Sequence, residues 1–304
     1  MAGEQTGNLW EIRRLAGALG AEVRGPRLAD ADDGDIAAIK RLLVEHMVLF
    51  FPEQHMSMQE HVALGRPFGP LEGHPNLKER NSVEHPEVFA LTASQGGIAD
   101  EWHTDLTFLA EPALMSILNM VKCPDSGGDT MWSNLCAAFD ALSPPLQEMC
   151  TGLTALHDAH PHDRADKMAI HPVVRSHPET GRKALYVSEH FTRRIVEMSA
   201  PESDALLGFL TSWVQSPRFT VRYHWAEGTI GMWDNRCTQH SVLNDFTEER
   251  IIQRVTVMGD RPEGAGARWR PWTENARRSA MSRHDRQLGG FLEAQAEGAV
   301  DAAE

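Results

Sequence analysis

The chain is short of cysteine, of basic charge and of long apolar runs, and each shortage excludes something. Its four cysteines (Cys123, Cys136, Cys150 and Cys237) show no CxxC spacing. Neither a zinc knuckle nor a disulfide framework is indicated, and free thiols in a reducing compartment are expected. No stretch approaches the roughly 18 apolar residues of a membrane span, and the opening MAGEQTGNLWEIRRL lacks the apolar core of a signal peptide. A soluble, cytoplasmic protein without a membrane partner is the expectation. Against 43 Asp and Glu stand only 29 Lys and Arg, a net charge of −14, which argues against a nucleic-acid partner that would want a basic face. What remains is a chain of 304 residues, 41% hydrophobic, with enough apolar mass for one large core.

No internal repeat is apparent. The segment 15–30 reads as a short strand with Gly turns. Next, 33–54 opens at an Asp-rich cap and places Ile36, Ile39, Leu42 and Leu43 at helical spacing before the β-like run MVLFF, stopped by Pro52. Residues 57–70 read as a second amphipathic helix ended by Gly and Pro. From about residue 86 the pattern becomes short β-type runs (EVFALT, ALMSILNMV, ALYVS, FTVRYHW, GTIGMWD, IIQRVTVMG) punctuated by Gly, Pro and Asp, interrupted by helical segments near 135–153 and 200–215. Many short strands with turn signals predict a sandwich or barrel. A single domain over 1–270 is expected, with 271–304 as a C-terminal extension, partly helical and then disordered.

The stretch DEWHTDLTF, residues 100–108, raises the chemical question. It alternates like a strand, which would put His103 and Asp105 on one face. Unpaired on a buried face, each would cost several kcal/mol, roughly, so something must compensate them. A His/Asp pair two residues apart is by itself more often structural, and most of the fifteen histidines should be surface or structural residues. Far downstream, however, GTIGMWDNRCTQHSVLNDF runs as an apolar strand into a loop holding His240. Two histidines and one carboxylate with open positions opposite form the facial triad of non-haem Fe(II) sites, although zinc accepts the same ligands. Ten and fourteen residues after His240 come Arg250 and Arg254, whose even spacing shares one strand face. Inward guanidiniums need anions. Pairing with Glu248, Glu249 or Asp245 at the surface is the competing account.

These blocks occur in a familiar order. GALGAEVRG, FFPEQ, RPFGP, WHTDLTF, GGDTMWSN, HPVVRSHPETGRKALYVSEHFTRRI, WDNRCTQH and RIIQRVTVMGDRP make the chain, from about 15 to 262, resemble the TauD/TfdA family of Fe(II)- and 2-oxoglutarate-dependent dioxygenases. The resemblance implies a mainly β fold with flanking helices, a double-stranded β-helix or jelly roll. It makes His103, Asp105 and His240 the iron ligands and gives the distal carboxylate of 2-oxoglutarate to Thr130 and Arg250. Arg254 matches the position that faces the acidic head of the primary substrate or lies near the cosubstrate's C1 end. His74 and Phe191 match substrate-contacting positions. Fe(II), 2-oxoglutarate and O2 are implied as cofactors, with succinate and CO2 released while a substrate C–H bond is oxidised, hydroxylation being the default.

The chain departs from the taurine-type pattern in two places. Asn76 and Leu77 stand where a tyrosine follows the first histidine, and only residues 157–170 fill the space of a long charged insert. These changes point to a substrate larger and more apolar than taurine, a small or medium carboxylic acid being favoured, with sulfonates, alkyl sulfates and phenoxyalkanoates open. A homo-oligomer, dimer or tetramer, is expected. Two rival classes are a zinc hydrolase, for which no HExxH supplies a general base, and a jelly-roll binding protein without catalysis, in which an intact triad would have no role.

Overall fold

The strands that carry the site alternate between two apolar surroundings, and that alternation sets the architecture. In the computed structural model, which describes residues 10–25, 27–96, 99–273 and 288–294, the strand Ala113–Lys122 sends Met115 and Ile117 to one side and Leu118 and Met120 to the other. The first pair shares a core with Ile36, Ile39, Leu42 and Leu43 of the helix Asp33–His46. The second pair joins Phe50, Trp132 and Trp233 in the core between the sheets. Burial on both faces is why ALMSILNMV reads as a nearly continuous apolar run.

This strand lies inside an eight-stranded sheet. Its order is Glu11–Arg14, Ala21–Arg24, Val48–Phe51, Ile230–Asp234, Ala113–Lys122, Ile251–Met258 and Leu71–Glu72, with Val88–Thr92 also paired to Ile251–Met258. All neighbours run antiparallel except Ala21–Arg24 beside Val48–Phe51. Against it packs a three-stranded sheet of Thr220–Tyr223, Thr130–Asn134 and Thr238–Val242. Trp132 of the smaller sheet meets Phe50 and Trp233 of the larger at ring separations of 5.1 and 5.7 Å. A further sheet, Thr192–Ile195, Thr154–Ala159 and Arg164–Pro172, and the pair Val174–Ser176 with Lys183–Leu185 complete the walls. The result is the jelly roll expected from the sequence.

Helix boundaries follow the local chemistry. Asp32 and Asp35 form a reciprocal capping box at the start of Asp33–His46, and Met47 ends it in a left-handed conformation at φ 64°. Ser57 and Glu60 do the same for Met58–Gly65, which stops short of the expected residue 70 because a 3-10 turn, Arg66–Phe68, takes over at Pro67. Helices Leu135–Asp140, Pro144–Thr151 and Ala200–Val214 fall in the two predicted helical regions.

Two local expectations are corrected. DEWHTDLTF is not a strand: His103 makes one isolated bridge, to His240, and the chain then turns, with Leu106 at φ 59°. No neighbouring strand pairs with 104–108; Asp105 N donates instead to Asn235 Oδ1, and Thr104 Oγ1 to the Thr238 carbonyl. His240, conversely, sits in the strand Thr238–Val242 and not in a loop. Beyond the sheets, Trp272 N donates to the Val196 carbonyl at 2.9 Å. Residues 288–294 are helical, with Leu288 buried against Leu156 and Val196. The expected disorder of the tail falls largely outside the described residues. Among those described, no helix is long and apolar enough to cross a membrane, and the four cysteines are free.

Gly231 couples this core to the site. A Cβ there would lie 2.7 Å from Cη2 of Trp225, whose Nε1 donates to Thr130 Oγ1 at 2.9 Å. Gly231→Ala is expected to cost about 1–3 kcal/mol by overpacking. Urea denaturation checks this; an unshifted midpoint would mean that Trp225 yields freely.

Candidate active site

His103, Asp105 and His240 converge at one end of the jelly roll, all buried, their ligand-bearing atoms within 4.8 Å of one another. The bridge between His103 and His240, bonded in both directions at 3.0 and 2.8 Å, sets the two rings 4.1 Å apart. His103 Nδ1 donates to the Glu101 carbonyl at 2.8 Å, so Nε2 is the nitrogen left to face Asp105 Oδ1, 3.8 Å away. Asp105 is held from behind: Ser116 Oγ donates to its Oδ2 at 2.7 Å, and Asn235 Nδ2 donates to Ser116 Oγ at 3.0 Å. Trp233 Nε1 in turn fixes Asn235 Oδ1 at 3.1 Å.

The protonation states suit a cation. Burial pushes the His240 ring down to about 4 and takes His103 well below its ordinary value, so both imidazoles are neutral with free lone pairs. Burial alone would raise the Asp105 carboxyl, but Arg254 first, then His240, His103 and the Ser116 hydroxyl, hold it well below the usual carboxylate range. Nδ1 of His240 is buried without a hydrogen-bond partner. Two neutral imidazoles, one ionised carboxylate and an orphaned ring nitrogen fit a divalent metal such as Fe(II).

Arg250, just before the strand Ile251–Met258, and Arg254, within it, line the cavity of the triad from one face, as the period of two requires, with Ile252 between them. Arg250 is 4% exposed and has no carboxylate within 4 Å among the described residues; Nε donates to the Gly128 carbonyl at 3.2 Å and Nη2 to Thr130 Oγ1 at 3.5 Å. Burial lowers its guanidinium to about 10. The surface carboxylates that could have neutralised it are engaged elsewhere: Asp245 with Gly128 N, Glu248 with Asp125 N, Glu249 with Ser94. Thr130 opens the strand Thr130–Asn134 just after Gly127 and Gly128, both at positive φ. At Gly127 a Cβ would come within 2.6 Å of the Asp245 carbonyl oxygen.

Arg254 makes a contact that the sequence did not anticipate. Its Nη1 donates to Asp105 Oδ1 at 2.7 Å, while Nε is buried without a partner and the guanidinium lies 5.3 Å over the Phe89 ring. It therefore touches a triad member directly. On its other side lies the predicted His74, buried, with Nδ1 accepting from Asn76 N at 3.2 Å and Leu77 N at 3.1 Å. Phe191, also predicted, is buried 6.2 Å from the His103 ring. One cavity is lined by all eight predicted residues together with Leu77, Phe89, Leu118, Trp132, His162 and His190.

Sequence reasoning missed Ser116, Asn235, His162 and His190. The HPH turn at 160–162 carried no spacing relation to the triad; only its place in the shortened insert marked it. A second buried group, His177, Asp234 and Cys237, also clusters within 4.8 Å. There Arg236 already pairs with Asp234 through Nε at 2.9 Å and Nη2 at 2.7 Å, and His177 Nε2 donates at 3.0 Å. That carboxylate is neutralised and saturated, and the group braces the turn leading to His240.

Residues 11–256 match the model of the family described as taurine catabolism dioxygenase TauD, TfdA family. The chain is 36% identical over 277 residues to the alpha-ketoglutarate-dependent sulfate ester dioxygenase of Pseudomonas putida, covering 84% of this chain and 91% of that one. The crystal structure of a taurine dioxygenase from Burkholderia xenovorans superposes with a TM-score of 0.77 at 36% identity, over 84% of this chain and 93% of that one. AAD-2, solved in complex with Mn(II) and N-oxalylglycine, gives a TM-score of 0.70 at 27% identity, over 83% and 98% of the two chains.

Asp105→Ala is expected to weaken Fe(II) or Mn(II) binding by more than the roughly 10–100-fold that loss of an outer-shell partner costs, with the circular dichroism spectrum unchanged. Anaerobic calorimetric titration reads the affinity; a wild-type value would remove Asp105 from the ligand set.

Proposed function

The chain belongs to the TauD/TfdA family of 2-oxoglutarate-dependent dioxygenases, and from that premise we propose that it oxidises a C–H bond of a small to medium organic monoanion with an apolar body and a sulfo-type head, a sulfate ester or a sulfonate. Fe(II), 2-oxoglutarate and O2 are its cofactors, with succinate and CO2 released.

Charge in the cavity is the observation that carries the reading. Two guanidiniums, Arg250 and Arg254, face one ionised carboxylate, Asp105, while the cavity imidazoles of His74, His103, His162 and His240 are pushed below neutrality by burial. A divalent metal raises the excess to three positive charges. Dianionic 2-oxoglutarate neutralises two of them, and a monoanionic substrate neutralises the third. Neutral substrates would leave a buried charge uncompensated, at a cost of several kcal/mol, roughly.

In this reading His103, Asp105 and His240 hold Fe(II), which when bound supplies the oxidising chemistry together with 2-oxoglutarate and O2. Arg250 and Thr130 hold the far carboxylate of 2-oxoglutarate. Arg254 keeps Asp105 ionised through Nη1 and offers its remaining donors to the substrate head, beside the Nε2–H of His74. Phe191, Leu77 and Phe89 take the apolar body and exclude water. The likeness to a sulfate ester dioxygenase supports a sulfo head, and a carboxylic acid stays in the test as the competing head group. The same reading takes 1–270 as one catalytic domain of a cytoplasmic homo-oligomer, which sedimentation of the purified chain would check.

Arg250→Ala should raise the KM for 2-oxoglutarate roughly tenfold to a few thousandfold, since removing one side of a buried charge pair costs about 2–5 kcal/mol. An unchanged KM would move the cosubstrate anchor elsewhere.

Arg254→Gln keeps hydrogen-bond donors and removes the charge. With iron saturating, it should raise the KM for an alkanesulfonate far more than the KM for 2-oxoglutarate or for the neutral sulfonamide of the same chain length, while any loss of kcat from the altered Asp105 contact falls on both substrates alike. Equal rises in KM for sulfonate and sulfonamide, read from succinate formation, would overturn the anionic-substrate reading.

A further inference from the structure

His162 stands on the short turn His160–His162 that joins the strands Thr154–Ala159 and Arg164–Pro172, and it lines the same cavity as the triad. Its ring lies 4.9 Å from that of His74 and 5.6 Å from both Phe108 and Phe191. The hydrogen bonds around it leave one tautomer. Lys167 Nζ, which can only donate, reaches the Asn76 side chain at 2.6 Å, so the atom it meets is the amide oxygen. The Asn76 amide nitrogen therefore points the other way, to Nδ1 of His162 at 3.4 Å. An amide NH2 has no lone pair to offer, so His162 Nδ1 accepts, and the ring's proton resides on Nε2. Burial lowers this imidazole to about 4, so at neutral pH it carries that single proton. His74 is pinned in the same sense by two backbone N–H groups on its Nδ1.

Two neutral imidazoles, neighbours in space but from segments far apart in the chain, are thus fixed as Nε2–H donors. Arg254 lies near enough to both to depress them electrostatically. A planar carboxylate has two oxygens to satisfy; a sulfate or sulfonate head has three, arranged as a tripod. Building on the function proposed above, we propose that His162 is a substrate-binding residue that donates Nε2–H to the third oxygen of a sulfo head group, alongside His74 and Arg254, and that Asn76 and Lys167 are positioning residues that fix its tautomer. Asn76 occupies the region where the taurine-type pattern has a tyrosine. Here Leu77 lines the cavity instead, and the polar contact is supplied from the turn that carries His162.

The test compares hexyl sulfate, hexane-1-sulfonate and hexanoate on the iron-loaded full chain, following succinate. His162→Phe retains a ring against Phe108 and Phe191 and removes the donor. It should raise the KM for the sulfo substrates roughly 10–100-fold, the worth of a hydrogen bond to a charged group, with a smaller rise for hexanoate. The KM for 2-oxoglutarate should not move. His162→Gln, which keeps an N–H donor, should recover part of the loss. Lys167→Met should raise the sulfo KM less than His162→Phe, and should add nothing in the His162→Phe background. Nitrogen-15 spectra of the wild type should show Nδ1 of His162 unprotonated at neutral pH, and Lys167→Met should mix the tautomers. An unchanged sulfo KM in His162→Phe, or a proton on Nδ1, overturns the proposal while leaving the function above intact. Should the wild type oxidise hexanoate and neither sulfo compound, that function and the tripod role fall together.

Discussion

Arg250 is a guanidinium buried in the wall of a cavity with no carboxylate among the described residues to answer it, and much of the site is organised by that imbalance. A fully paired arginine would need no ligand. Here the acidic residues nearest in sequence are taken up by backbone N–H groups and a serine hydroxyl. The guanidinium meets only a carbonyl and a hydroxyl. Such a group is stable enough to fold around and unsatisfied enough to bind. Its position just before Ile251–Met258 places Arg254 two β-repeats further along the same face, so a single stretch of chain brings both charges to the cavity of the triad.

The rigidity of that geometry comes from the doubly buried central sheet. Ala113–Lys122 pairs along most of its length with Ile251–Met258 and, over its central Met115–Asn119, with Ile230–Asp234 as well. Its inward Ser116 therefore has a fixed height against Asp105, and the Trp233–Asn235–Ser116 relay holds the carboxylate before any metal arrives. Pre-set ligands lose less freedom on binding, an advantage that a turn gains here by being hydrogen-bonded to rigid strands. His162 is held differently: it rides on a turn, and its orientation rests on one amide and one lysine. His240 is anchored in a strand, and His103 and Asp105 are tied to the sheets from a turn by the His240 bridge and by Ser116 and Asn235, while the wall around His162 is carried by a loop.

Much of this was legible in the sequence. The capped helix Asp33–His46, the apolar strands, and the ligand types His103, Asp105 and His240 all follow from period, cap chemistry and donor identity. So does the common face of Arg250 and Arg254, because i and i+4 on a strand always share a side. The count of short runs and their turn signals gave a sandwich or barrel, and the resemblance to the TauD/TfdA family narrowed it to a jelly roll.

Other features depended on distant partners and could not be read locally. DEWHTDLTF alternates like a strand but has no strand to pair with, so its backbone bonds go to Asn235 and to His240, more than a hundred residues away in sequence. Which cation faced which anion was likewise undecided: Arg254 was free to meet a substrate, yet in the folded chain it lies on Asp105. The tautomer of His162 depends on Asn76 and Lys167, which approach it from two segments separated by most of a sheet. Local period and residue chemistry determined the elements and the candidate ligand types. Only the tertiary structure decided which polar groups are left unsatisfied, because satisfaction is a property of what packs across the chain and not of what lies next along it.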